Sequence, residues 1–172
     1  MKTTSILALA AILAGGAILA PSTGGAPELT RQQQAKGVMA TLEGEPELTT
    51  FTRLIHLSGM AETLRTGGPY TIIAPNDAAF RTMPGADMDL LLEPENRDLL
   101  AQRLSYHIIP GTIDLKNVST EDRTTLQGSR VVLHREGKTV WVGRGEIVKQ
   151  GAELGDGGSI HAINMVLEPD QE

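Results

Sequence analysis

The chain has 172 residues, 40% of them apolar and 21% charged, and 21 acidic against 15 basic side chains give a formal charge of −6. One ordinary domain fits that length, and negative charge with no lysine-arginine run removes the counterion release that drives nucleic-acid binding, so no nucleic-acid partner is expected. Zero cysteines exclude disulfide frameworks, thiolate zinc sites and cysteine nucleophiles, while 19 Gly and 9 Pro exclude a coiled coil and predict many turns around an aliphatic core.

Lys2 precedes an unbroken small and aliphatic run from Ile6 to Ala20 and then Pro21-Ser22-Thr23-Gly24-Gly25. A cation, a hydrophobic segment and small residues where a peptidase could cut read as a secretory signal over 1–20, with the cut between 16 and 26. As a helix that run reaches only about 22 Å, short of a hydrocarbon core about 30 Å thick. The expected product is exported, periplasmic or secreted, with no membrane span unless the signal is retained as an N-terminal anchor. Residues 21–34 lack apolar periodicity and read as a flexible tether, 35–169 as the folded domain and 170–172 as a tail.

Within the domain, Ala35, Val38, Met39 and Leu42 follow helical spacing up to Gly44 and Pro46. Leu48, Phe51, Leu54, Ile55 and Ser58 mark a second helix, ended by Gly59 in a left-handed conformation. A short third helix covers Ala61 to Arg65. Tyr70 to Ala74 is a β-branched run stopped by Pro75. Asn76 then caps a helix whose first turn carries Asp77 and whose Phe80 turns to the core. Pro94 opens the first turn of another helix, in which Leu99, Leu100 and Leu104 form the buried stripe up to Tyr106.

After Pro110-Gly111 the period changes to two. Strands are predicted over 130–135, 139–143, 146–150 and 159–167, the first two joined through Glu136-Gly137-Lys138 as a hairpin. Helices first and strands last indicate an α+β fold.

Chemistry-bearing patterns are sparse. His56, His107, His134 and His161 are separated by 51, 27 and 27 residues, which is no zinc-ligand spacing. His107 and His161 sit in apolar strand-like stretches, where a framework role bonded to the backbone is expected. Asp87-Met88-Asp89 with Glu93 and Glu95 lacks the glycine and glutamate of a calcium loop, since Leu92 and Asp98 stand there, so it reads as a solvated helix-entry turn. Gly155 to Ser159 opens a strand rather than a helix and reads as a positive-φ connection, not a phosphate cradle. Ser105 and Ser159 lack a nucleophile elbow. Asn117-Val118-Ser119 matches a glycosylation acceptor, a short pattern common by chance. No cofactor and no metal site are expected.

Three stretches in order resemble the fasciclin (FAS1) domain family, bacterial single-domain secreted type. Gly68-Pro69-Tyr70-Thr71-Ile72-Ile73-Ala74-Pro75-Asn76-Asp77-Ala78-Ala79-Phe80 is similar to the first signature of that family. Tyr106-His107-Ile108-Ile109-Pro110-Gly111 resembles its central Tyr-His segment, and the run from Gly158 through His161 to Pro169 its closing signature. The resemblance implies a wedge of two β-sheets with several short helices packed along one side. It implies framework roles for Thr71, Pro75, Asn76, Asp77, Phe80, Tyr106, His107, Gly158 and His161. It further implies a non-enzymatic extracytoplasmic binding or adhesion module, a monomer contacting an envelope or extracellular protein, matrix or glycan partner. The Asp-Ile dipeptide that some animal members use for integrin contact is here Glu153-Leu154, so integrin binding is not implied.

Exposed loops carry recognition more often than framework strands. Arg81, Met83 and Met88 after the first signature, and Arg144 and Glu146 in an exposed turn, are the expected partner contacts. The alternative from a different class is an envelope enzyme or small-ligand carrier using His107 or His161 in a cavity.

Overall fold

The computed structural model describes residues 37–154 and 158–169. The expected leader and tether, the tail at 170–172 and the centre of the glycine-rich connection at 155–157 lie outside the described residues.

Helix α1 covers 37–44 and buries Val38, Met39 and Leu42. Helix α2, Thr49–Ser58, buries Phe51, Leu54 and Ile55 on one stripe. It ends at Gly59, φ +78°, whose N–H donates to the His56 carbonyl. A side chain at Gly59 would be strained at that φ and would displace the Arg97 guanidinium, so glycine is favoured at the turn into α3, Met60–Thr66. Strand β1, Tyr70–Pro75, leads into α4, Asp77–Thr82. Helix α5, Gly85–Leu92, follows. A 3-10 turn over Pro94–Asn96 precedes α6, Arg97–Ser105. The remaining strands are β2, Ile108–Pro110; β3, Thr120–Thr124; β4, Arg130–Glu136; β5, Thr139–Val142; β6, Gly145–Glu153; and β7, Ser159–Ile163.

The structure corrects three expectations and adds a strand. Asp87, Met88 and Asp89 lie inside α5 rather than in a helix-entry turn, with Asp87 in the first turn where its charge complements the helix dipole. Pro94 opens the 3-10 turn, and α6 begins at Arg97. Strand β3 is an addition to the expected strands: its sequence, Thr-Glu-Asp-Arg-Thr, has no apolar alternation and so carries no strand signal. Strand β7 stops at Ile163, four residues before Leu167: the Asn164 side-chain oxygen accepts the Glu146 N–H at 2.9 Å and so replaces the backbone partner of a longer strand.

The strands form one hydrogen-bonded ribbon in the order β2-β1-β7-β6-β5-β4-β3. Only β1 and β7 run parallel. The start of β6 pairs with β5 and its body with β7, with register shifts between Ile147 and Lys149 and between Gln150 and Glu153. Such irregularities bend a strand. Strand β6 thus serves both sheets of the wedge. Past β3, the Leu126 N–H donates to the Ile108 carbonyl at 2.7 Å and brings the far end of the ribbon back to β2.

Two cores result. Strands β1 and β7 are buried along their whole length, as expected of strands covered on both faces. Ile72, Ala74, Ile160 and Ala162 face the helices and pack with Phe51, Ile55, Leu100 and Leu104. Ile73 and Ile163 face the space between the sheets and pack with Ile109, Val131, Leu133, Val140 and Val142. In β4 the residue between two core positions, Val132, is 43% exposed, so that sheet has one wet face.

Candidate functional site

The first signature is a set of connections between elements. The Thr71 hydroxyl donates to the Gly111 carbonyl at 2.9 Å and accepts the Ile113 N–H at 3.1 Å, tying the loop after β2 to β1. Pro75 ends β1 and is buried. Asn76 accepts the Ala79 N–H at 2.8 Å and caps α4 as expected. Asp77 does more than suit its own helix: its Oδ1 accepts the Thr50 N–H at 2.8 Å and caps α2, whose own cap position holds Leu48. Phe80 is buried on the helix-side core.

Tyr106 and His107 close the wedge from the side of α6. The Tyr106 hydroxyl donates to the Arg130 carbonyl at 3.1 Å, and its ring belongs to the core between the sheets. His107 is 2% exposed, with its ring 6.1 Å from that of Phe51. Its Nδ1 lies 3.1 Å from the Arg103 carbonyl and its Nε2 accepts the Leu167 N–H at 2.9 Å. These partners assign the hydrogen to Nδ1. Burial, partly offset by the Arg103 carbonyl, pulls the pKa of His107 from 6.5 down to about 4.

His161 is placed differently. Strand pairing sets Thr71 beside Ser159 and Ile73 beside His161, so Ser159 and His161 project to the inter-sheet side with Ile73 and Ile163. They line a cleft of ≈ 580 Å³ at the mouth of the wedge, walled by Ile113, Leu115 and Leu154 and rimmed by Asp114, Lys116 and Gln150. Buried Gly158 belongs to the same lining. His161 Nε2 is 2.8 Å from Ser159 Oγ, and its Nδ1 faces the Gly151 N–H at 3.4 Å. Burial lowers its pKa from 6.5 to about 4.

A catalytic serine–histidine pair needs the ring lone pair turned to the hydroxyl and the opposite ring N–H turned to a carboxylate. Here Nδ1 receives an N–H, so Nε2 carries the hydrogen and donates it to Ser159 Oγ. In this tautomer the ring cannot accept the hydroxyl proton.

The expected contact residues divide between two regions. Arg81 is exposed on α4, whereas Met83 and Met88 are half-buried and pack against the helix-side core rather than forming free surface. Arg144 lies in the two-residue connection between Val142 and Gly145, but Glu146 is half-buried inside β6 and not in an exposed turn. His56 pairs with Glu43 at 3.2 Å, and the His134 ring stacks on Trp141 at an interplanar angle of 8°. Among the described residues no group of three or more His, Cys, Asp or Glu side chains is placed to hold a metal ion.

The proximity of Ser159 to His161 is legible as two residues on one strand face. Gly151 and Lys116 carry no such signal, since only the folded ribbon brings them to the cleft.

Comparison with known proteins matches residues 46–169 to the Fasciclin domain family. Protein sll1483 of Synechocystis is 27% identical over 179 residues, covering 98% of this chain and 99% of its own length. Immunogenic protein MPB70 of Mycobacterium bovis is 34% identical over 139 residues, covering 77% of this chain and 68% of that one. Transforming growth factor-beta-induced protein ig-h3 of Sus scrofa is 30% identical over 133 residues, 77% of this chain but 19% of its own length. Among solved structures, a FAS1 domain pair from the insect cell adhesion molecule Fasciclin I matches with a TM-score of 0.56 at 20% identity, covering 70% of this chain and 45% of that one.

Proposed function

The chain belongs to the fasciclin domain family, and from that premise we propose that it works as a monomeric extracytoplasmic binding module, contacting protein, matrix or glycan partners without bond-making chemistry of its own. The observation that carries this reading is the engagement of both buried imidazoles. Each ring nitrogen of His107 and His161 has a partner inside the protein, and burial holds both rings neutral at physiological pH. Rings so held brace the framework. Family membership supports adhesion as the class of work, and the leader-like N-terminus supports export. No helix among the described residues is long and apolar enough to cross a membrane.

Exposed Arg81 on α4 and Arg144 in the β5–β6 connection are the contact positions this reading favours. The test is photo-cross-linking in the native envelope from positions 81 and 144, with position 132 on the outer sheet face as reference. A discrete protein or glycan adduct from 81 or 144, absent from 132, is expected. Ester or amide turnover abolished by Ser159→Ala would overturn the reading.

A further inference from the structure

The cleft at the mouth of the wedge has features that a scaffold for adhesion does not require. Its floor holds a fixed hydroxyl. Ser159 is 4% exposed, and its oxygen accepts the hydrogen of His161 Nε2. That bond turns the hydroxyl hydrogen away from the ring. A hydroxyl has one hydrogen to give, and no described protein acceptor takes that of Ser159, so a buried donor is left for a partner in the cleft it lines.

Beside its polar groups the cleft has an apolar part, to which Ile113, Leu115 and Leu154 contribute. At the rim the charges of Lys116 and Asp114 offset each other. The Asp114 carboxylate accepts the Lys116 N–H at 2.9 Å and an Asn117 Nδ2 hydrogen at 2.7 Å, and these bonds lower its pKa, so it stays charged. Among the described residues the remaining polar rim groups are the neutral Gln150 amide and the Thr112 hydroxyl. The volume of ≈ 580 Å³ falls within the range that holds a small molecule.

We propose that this cleft binds a small uncharged amphiphile, an ester or amide with a short acyl chain, whose carbonyl oxygen accepts the Ser159 hydroxyl hydrogen while the chain lies on Ile113, Leu115 and Leu154. The net charge of −6 disfavours an anion, and a lining that mixes apolar and polar groups suits an amphiphile. Because the donor is held by His161, whose ring is fixed in turn by Gly151, the site is preformed. The proposal does not rest on the adhesion reading, and either can fail alone.

The test is a titration of the ¹⁵N-labelled full chain with 1-octanoylglycerol, followed at the amides of Ile113 and Gly151 and at the His161 ring. Saturable shifts confined to these signals are expected. The carbonyl-free ether 1-O-octylglycerol and the Ser159→Ala variant should each bind about tenfold more weakly, the loss of one hydrogen bond. Gln150→Trp, at an exposed rim position, should block binding while the His107 ring signals keep their native positions. Absence of saturable shifts, equal binding of ether and ester, tighter binding of octanoate, or unchanged binding to both variants overturns the proposal.

Discussion

Asn76 and Asp77 are neighbours in the chain and cap two different helices: Asn76 takes the Ala79 N–H of α4, and Asp77 takes the Thr50 N–H of α2. Each replacement by alanine should cost about 1 kcal/mol, but at different places. Hydrogen exchange should speed at Ala79 in Asn76→Ala and at Thr50 in Asp77→Ala. The same pattern of exchange in both variants would remove the division of labour.

The neutral, buried histidines make stability depend on pH. Both have folded pKa values lowered from 6.5 to about 4, so between those values the unfolded chain binds more protons than the folded one. Their contribution is therefore complete above pH 6.5 and is lost as pH falls towards 4. Each is worth about 3 kcal/mol over that window. Urea unfolding at steps from pH 7 to pH 4 should show the fall, and His161→Gln should flatten it by about half. A stability flat across the window would mean that neither ring is held neutral.

Two glycines should respond with opposite sign. A Cβ at Gly151 would lie 2.1 Å from the Ile160 carbonyl oxygen, a backbone atom that cannot step aside, whereas a Cβ at Gly44 meets nothing within 4 Å. Gly151→Ala should destabilise by about 1 to 3 kcal/mol or more and disturb the His161 ring signals through the lost Gly151 contact. Gly44→Ala, at the end of α1, should stabilise by about 0.5 kcal/mol. Thermal unfolding of the two variants gives the signs directly.

Phe80→Ala should cost about 3 to 5 kcal/mol by opening a cavity in the helix-side core. Tyr106→Phe keeps the ring and loses the hydroxyl bond to the Arg130 carbonyl, so about 1 kcal/mol is expected. Equal losses in denaturant midpoint would mean that the Tyr106 hydroxyl matters more than its geometry indicates.

Much of this architecture is visible in the amino-acid order wherever local physics decides the outcome. The stripe of α2, the left-handed stop at Gly59, the Asn76 cap and the Gly137 hairpin follow from periodicity and conformational preference within a few residues. What is not visible depends on distant partners. Strand β3 exists because β4 offers it a ladder, although its own residues are polar. The reach of Asp77 to α2 spans 27 positions. Pro94 is as well suited to a 3-10 turn as to the first turn of an α-helix, and packing makes the choice. At the cleft, Ser159 and His161 are recognisable as one face of one strand, while the loop that supplies Lys116 and the bend that supplies Gly151 belong to the tertiary structure.

The parallel union of β1 with β7 sets residues 71–75 beside 159–163. The middle of the sheet therefore waits for residues 159–163, and closing so large a loop is slow. A fragment that stops before Ser159 should have helices but no stable interior.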